Sequence, residues 1–165
     1  MNQLAAIPLE FRLAGCLVLG ALLGGFVNFG IYRFAWHKRL ISPWSPAPQG
    51  AAPRTWADRL PIVGWLHMRR ESDLHGAGFW IRPMLIELAT AGGLAMLYAW
   101  EIERLALFDY AANVAALPVG RTLEAVTPAL AHWPLLSHIV LITLMLIATF
   151  IDIDEKTIPD AITVP

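Results

Sequence analysis

The sequence predicts an all-α integral membrane protein, with about three transmembrane helices and a cytoplasmic loop, as part of a larger polytopic bundle. Two observations lead to this prediction. The chain has 165 residues, of which 57% are hydrophobic and only 15% charged, whereas about a quarter of the residues in a soluble domain are charged. Its uncharged residues also fall into runs long enough to cross a bilayer. The balance of 12 basic and 13 acidic residues argues against a nucleic-acid-binding protein.

The first predicted transmembrane helix is the uncharged run 13–32, which lies between Arg12 and Arg33. As a helix it would be about 30 Å long, the thickness of the hydrocarbon core. A cleavable signal peptide would end at small residues after a shorter apolar run, but this run continues into Asn28 and Tyr32. We therefore expect residues 1–32 to be a retained N-terminal transmembrane helix.

The second and third predicted helices are residues 84–100 and 135–151, near the lower length limit for spanning. The second contains Glu87, which we expect to be the only charge within any membrane core. The third ends at Asp152. Before the start of this third helix, three residues indicate that the chain enters the membrane interface there and that the helix does not begin earlier: Pro128, His132 and Pro134.

Small residues on the first two helices offer a possible contact between them. Gly20 and Gly24 have the G-x-x-x-G spacing that lets two helix backbones approach, and Ala89 and Gly93 form a similar pair. Such spacings are also common by chance, so both interpretations stay open at this point.

The positive charges predict the orientation, because Lys and Arg are retained on the cytoplasmic side during insertion. Eight of the twelve basic residues lie within 33–82, so we expect this segment to be a cytoplasmic loop and the N-terminus to lie outside. Within the loop, the Pro-rich residues 42–48 predict an extended linker, and residues 58–66 are apolar enough to pack against the membrane surface. The third helix then runs inward and carries four acids to the cytoplasmic face: Asp152, Asp154, Glu155 and Asp160.

These acids allow two interpretations. Two neighbouring carboxyl groups that share a proton can activate water for hydrolysis, but acids after a membrane helix can also simply be its solvated end. A calcium loop is excluded because Lys156 and Thr157 replace the required ligand and glycine, and no H-E-x-x-H zinc motif occurs. Glu87 is a functional candidate because it is ionisable and intramembrane; alternatively, it reaches the interface or pairs with Arg82.

Four sequence blocks, in order, resemble the type IV prepilin peptidases, membrane aspartyl proteases that cut the basic leader from type IV pilins and type II secretion pseudopilins. Residues 24–33 (GGFVNFGIYR) are similar to the family's GSFLNVVIYR, and residues 58–66 (DRLPIVGWL) to its DNIPVLSWL. Residues 82–88 (RPMLIEL) resemble RYPLVEL with the proline displaced by one. Residues 151–160 match the family pattern I-D-x-D-x-x-x-L-P-D with isoleucine in place of leucine.

The resemblance implies a function and a set of site residues. It makes Asp152 the first catalytic aspartate, with Asp154, Asp160 and Glu87 as supporting motif residues. The expected reaction is cleavage of prepilin or pseudopilin leaders at the cytoplasmic face of the bacterial inner membrane, by water activated between two carboxyl groups. The expected partners are these substrates and the lipid bilayer, with no nucleic acid.

The chain departs from the family pattern in two respects. The loop lacks the family's two C-x-x-C pairs, since the single cysteine is Cys16; zinc is therefore not expected, and S-adenosylmethionine would be needed only if N-methylation is retained. The family's second aspartate lies in a downstream G-x-G-D motif, and none of the glycines in this sequence precedes an aspartate in that pattern. Residues 83–165 thus end in the first aspartate motif, and we expect a fragment that is inactive in isolation. The alternative is a non-catalytic membrane assembly or scaffold protein.

Overall fold

The computed structural model describes residues 7–37, 41–103 and 128–155, and within these ranges the chain is helical, with no β-strand. The three long helices are α1 (Leu9–Phe34), α4 (Ile81–Tyr98) and α5 (Pro128–Glu155). Two short helices, α2 (Val63–Met68) and α3 (Ser72–His75), lie in the segment between α1 and α4. The predicted all-α architecture is confirmed.

Three helical segments are long and apolar enough to cross a membrane: Leu9–Phe34, Ile81–Ile102 and His132–Glu155. Each is longer than the uncharged run that predicted it, 13–32, 84–100 and 135–151 respectively. The second extends because α4 continues into a π-helical turn, Ala99–Glu103. The third helix starts earlier than the sequence favoured. It already begins at Pro128, where proline is tolerated because the first turn of a helix leaves its N–H groups unpaired, and it includes Pro134.

Close approach of two backbones joins α1 to α4, which is the most extensive helix contact described. A Cβ atom at Gly20 would lie 2.6 Å from the carbonyl oxygen of Thr90, and one at Gly24 would lie 2.5 Å from the Cα of Glu87. The G-x-x-x-G contact is therefore present. Its predicted partner pair is wrong: Ala89 and Gly93 are exposed, and the surface that receives the glycines is formed by Glu87, Thr90 and Ala91.

The third long helix packs against the first through a small apolar core at the loop end of the helices. Ile147 and Ile151 of α5 are almost fully buried against Val27 and Ile31 of α1 and Ile86 of α4. The spanning window of α5 is only 22% buried, compared with 39% for each of the other two. One side of α5 is consequently exposed along most of its length.

At the opposite end of the helices, a second charge lies inside the bundle. Glu101 is 3% exposed, and one of its carboxylate oxygens lies 2.5 Å from Nδ1 of His138 on α5. The expectation that Glu87 is the only charge within a membrane core is therefore wrong. The π-helical turn, which follows the predicted end of the second span, carries this additional acid into the contact between α4 and α5.

The segment between α1 and α4 is folded onto the helices. It contains 3₁₀ turns at Trp56–Arg59 and Arg69–Glu71 in addition to α2 and α3. The predicted extended linker at 42–48 is not helical, but its Ser42–Ser45 turn accepts hydrogen bonds from the guanidinium of Arg54, so it is held in place. Trp65, predicted within a membrane-facing stretch, is instead buried in the protein interior.

Candidate functional site

A buried carboxylate connects α1, the loop and α4. Glu87 is 3% exposed, and its Oε1 accepts hydrogen bonds from Nε1 of Trp65 at 2.7 Å and from Nδ2 of Asn28 at 3.2 Å. Its Oε2 accepts a hydrogen bond from the backbone N–H of Ile62 at 2.5 Å. Both oxygens are thus satisfied, as a buried carboxylate requires. We refer to Asn28, Ile62, Trp65 and Glu87 as the Glu87 junction.

The amide of Asn28 strengthens this junction, since it also donates to the carbonyl oxygen of Pro83 at 2.9 Å. Asn28 therefore joins the middle of α1 to the first turn of α4 with one amide group. Arg82, the alternative partner for Glu87, does not contact it; the arginine binds Asp154 instead.

A strained turn presents the Ile62 N–H to the carboxylate. Ile62 has φ +66° and ψ −60°, and the N–H of Val63 donates to the carbonyl of Pro61 at 2.7 Å. These values define a γ-turn of the rare, strained type, and a β-branched residue at positive φ is a genuine outlier. Such strain persists only where surrounding contacts hold it, and here the contact is the hydrogen bond to Glu87.

Two ion pairs hold the loop together, and the first joins the buried Asp58 to Arg70, whose side chain is 35% exposed. The side chain of Asp58 is fully buried and binds Arg70 through both oxygens, with the shorter distance 2.7 Å. The hydrogen bond from Arg70 is the main reason that the pKa of Asp58 is lowered to about 2, and bonds from the backbone and hydroxyl of Thr55 act in the same direction. Asp58 also raises the pKa of Arg70. Gly64 packs so closely on Asp58 that a Cβ would lie 2.0 Å from the Asp58 carbonyl oxygen.

The second ion pair joins Arg54 to Glu71, with Nη2 and Oε2 2.9 Å apart and both side chains almost completely buried. The same guanidinium also donates to the carbonyl of Ser45 at 3.0 Å. His75, one helical turn after Glu71, lies 3.4 Å from its carboxylate. Charged hydrogen bonds thus connect the start of the loop to its last short helix.

The end of α5 is fixed to both other long helices. Asp154 accepts two hydrogen bonds from Nη1 of Arg82, at 2.7 and 2.9 Å. The carboxylate of Glu155 accepts the backbone N–H groups of Trp36 and His37, just after α1, at 2.6 and 2.8 Å. The four acids were predicted to emerge beside the basic loop, and these contacts place Asp154 and Glu155 at that end.

Asp152 lies just before these fixed points in α5 and is exposed. Residues two apart on an α-helix point about 200° apart, so Asp152 and Asp154 lie on nearly opposite faces. Asp152 forms no hydrogen bond or ion pair with other described residues. Its face is the exposed side of α5, which also carries Leu141 and Met145. Asp160, the remaining predicted acid, lies outside the described residues.

The structure thus brings together Glu87 with three residues that the sequence analysis had not selected as site residues. Asn28 and Trp65 could have been recognised, because each stands in a block that carries the family resemblance, as Glu87 does. The backbone of Ile62 had no sequence signal, since any non-proline residue supplies an N–H. The pairing of Glu101 with His138 was hidden because Glu101 falls after the predicted end of its helix.

The described residues do not form a zinc site. Among them no group of three or more His, Cys, Asp and Glu side chains could hold a metal ion, and the loop contains no cysteine. Two ion pairs connect the loop's parts instead, Arg54–Glu71 and Asp58–Arg70.

Comparison with known proteins gives a family match in the part of the chain that contains the Glu87 junction. The family model of the bacterial peptidase A24 N-terminal domain matches residues 18–102, which include the whole Glu87 junction and the loop. No solved structure gives a significant match.

Curated relatives extend the similarity to nearly the whole chain. A prepilin leader peptidase/N-methyltransferase of Klebsiella pneumoniae is 30% identical over 152 residues, which cover 88% of this chain and 54% of the relative. The protein of the same name from Myxococcus xanthus is 28% identical, with 90% and 36% covered. The one from Stutzerimonas stutzeri is 27% identical, with 98% and 54% covered. The chain therefore spans between about a third and about half the length of these relatives.

Proposed function

This chain belongs to the bacterial peptidase A24 N-terminal domain family, and on that premise we propose that it is part of a prepilin leader peptidase of the bacterial inner membrane. The observation that carries the proposal is the position of Asp152: it is exposed at the end of a membrane helix whose neighbouring acids are fixed to the other two. The proposed substrates are prepilins or pseudopilins, whose basic leaders would be attracted to an acidic helix end.

The proposed chemistry is hydrolysis of a peptide bond by water. One carboxylate takes a proton from the water as its oxygen attacks the scissile carbonyl carbon, and a protonated partner carboxyl gives a proton to the departing amine. Asp152 is one member of this pair. The described residues place no second carboxylate beside it, so in this proposal the other member of the pair lies outside the described residues.

The other acids have supporting roles in this proposal. Asp154 and Glu155 hold the end of α5 against α4 and the chain after α1, which fixes the direction in which Asp152 points. Glu87 attaches the loop to α1 and α4. Asp160 is a supporting residue only through the family resemblance. No step uses a metal, and S-adenosylmethionine enters only if the N-methyltransferase activity named in the relatives is also present.

Leader cleavage in cells tests this proposal. The complete protein is co-expressed with a prepilin in bacteria that lack other prepilin peptidases, and cleavage is measured by the shift in mass of the pilin. Asp152→Asn should lower cleavage by about 10²-fold or more, as expected for a proton-transferring group. Asp154→Asn, a matched substitution two residues away, should keep measurable cleavage.

The same experiment separates the peptidase from the alternative of a non-catalytic membrane assembly protein. If the Asp152→Asn protein is inserted at normal levels and cleaves like the wild type, the catalytic role is wrong. If the wild-type complete protein cleaves no prepilin but is needed for assembly of the machinery, the scaffold alternative holds.

A further inference from the structure

A cavity of about 640 Å³ lies between α1 and the loop. This volume is within the range of sites for small molecules. One wall is an exposed apolar side of α1, where Leu22, Phe26 and Phe29 are each about half exposed. The other wall consists of the loop around Trp44 and Pro61. The cavity is therefore apolar on its membrane side and bounded by loop residues at the helix end.

The two arginines at this cavity differ from most of the arginines around them. Arg54, Arg70 and Arg82 each bind a carboxylate. Arg33 and Arg59 line the cavity, and neither forms an ion pair within the described part of the chain. The cavity is thus lined by two positive charges that no acid among the described residues pairs with.

The aromatic wall fixes one of these charges. The guanidinium carbon of Arg59 lies 5.8 Å from the ring centroid of Trp44, a cation–π distance, and the indole is 67% exposed. Tryptophan is enriched at the level of lipid headgroups, where its ring is partly wet. Ser42 and Ser45 also line the cavity.

One acid, Glu87, lines the cavity, but both of its oxygens already accept hydrogen bonds from Asn28, Ile62 and Trp65. It is 3% exposed, whereas Arg33 and Arg59 are exposed. The charge that faces an entering molecule at the opening is therefore positive.

From this combination we propose that the cavity binds an anionic phospholipid, with its phosphate between Arg33 and Arg59 and an acyl chain along Phe26 and Phe29. Basic pockets beside membrane helices bind such headgroups. An acyl chain matches the apolar wall, which a free phosphate would leave uncovered. A bound lipid would connect α1 to the loop next to the Glu87 junction. The site is separate from peptide hydrolysis, so its test does not depend on the proposed function.

Lipid retention by the purified protein tests the proposal. The complete protein is extracted in mild detergent, titrated with phosphatidylglycerol or phosphatidylcholine in mixed micelles, and examined by native mass spectrometry. Phosphatidylglycerol should bind in preference to phosphatidylcholine. Each arginine near the membrane surface contributes about fivefold in affinity, so Arg33→Gln should weaken binding about fivefold and the Arg33→Gln/Arg59→Gln double variant about 30-fold.

The matched control is Arg69→Gln, which removes another exposed loop arginine that does not line the cavity and has no ion pair among the described residues. It should bind phosphatidylglycerol like the wild type. The single variant Arg33→Gln keeps the test valid if Arg59→Gln disturbs the loop, because Arg33 lies in the helix α1. The helix content of each variant, measured by circular dichroism, should equal that of the wild type.

Three results would overturn the proposal. Equal binding of the two lipids would show that the cavity does not recognise the anionic head. Equal losses in the double variant and Arg69→Gln would show a general charge effect. Displacement of phosphatidylglycerol by inorganic phosphate at a similar concentration would show that the site binds a free anion rather than a lipid.

Discussion

The indole N–H of Trp65 donates a hydrogen bond to the carboxylate of Glu87 at 2.7 Å, although the two residues belong to the loop and to the second spanning helix. Both are buried. A polar bond that is inaccessible to water resists separation, because a buried polar group that loses its partner gains no hydrogen bond from water in exchange. The position of the loop on the helices is therefore determined by contacts inside the protein.

Removal of the Glu87 carboxylate should release the loop. Glu87→Ala leaves the buried indole N–H of Trp65 and the partly buried N–H of Ile62 without acceptors, and a buried donor without an acceptor costs about 1–3 kcal/mol. We expect a clear decrease in the melting temperature in detergent and faster proteolysis within the loop. Glu10→Ala, which removes an exposed acid from the first turn of α1, is the control. Equal melting temperatures for the two variants would contradict the role of the junction.

The closeness of α1 and α4 predicts opposite results for two glycines of α1. Gly24→Ala should destabilise the protein, because its Cβ would lie 2.5 Å from the Cα of Glu87, whereas nothing lies within 4 Å of a Cβ at Gly15. Alanine is otherwise more favourable than glycine in a helix by about 0.5–1 kcal/mol. Gly15→Ala should therefore be neutral or stabilising, and thermal unfolding of both variants would show whether the contact is as close as described.

The loop should lose stability in acid. The pKa of Asp58 is lowered to about 2 in the folded protein, compared with about 3.9 for an unperturbed aspartate. Its contribution is therefore fully present above about pH 4 to 5 and is lost as the pH falls toward 2. Limited proteolysis of the loop at decreasing pH measures this loss. The loop of the Asp58→Asn variant should be digested readily by the added protease even at neutral pH. The Asp73→Asn variant, which changes an exposed position, should behave as the wild type.

The Glu101–His138 pair should depend on both partners. His138→Leu leaves the buried carboxylate of Glu101 without its neighbour, and leaving a buried acceptor unsatisfied costs about 1–3 kcal/mol. Replacement of both residues by leucine removes the buried charge together with its partner and should recover much of the loss. Melting temperatures of the two single variants and the double variant give the coupling between them. Additive effects would show that the two side chains do not interact.

Much of the fold followed from the sequence, because long uncharged runs and one concentration of arginines are strong signals. The ends of the spanning helices did not follow from the sequence. Charges such as Glu101 are tolerated in a span when a partner on another helix compensates them, and hydropathy along one segment contains no information on the neighbouring helix. For the same reason, Ala89 and Gly93 were a reasonable but wrong contact surface: a spacing of small residues does not show which side of its helix faces a partner.

The candidate site was only partly predictable. Asp152 and Glu87 stood out as acids at or within a membrane helix, and the family resemblance ordered the surrounding blocks. Their relationship in space required the structure, which shows Glu87 holding the loop and Asp152 facing away from Asp154. The γ-turn at Ile62 could not be foreseen, since nothing in the residues 61–63 favours positive φ. The function of Asp152 stays a prediction that the cleavage experiment decides.

The Glu87 junction has a further consequence for the order in which the protein is built. All of its members lie between Asn28 and Glu87, and the helices they join follow each other along the chain. Bacterial chains grow from the N-terminus at about 5–20 residues per second, so α1, the loop and α4 are synthesised before any of α5. Membrane insertion can therefore complete the junction first. The helix α5, which carries Asp152, then packs against α1, the loop and α4 after they have been synthesised. The contacts that orient Asp152, with Arg82 and His37, are made to residues that precede α5 in the chain.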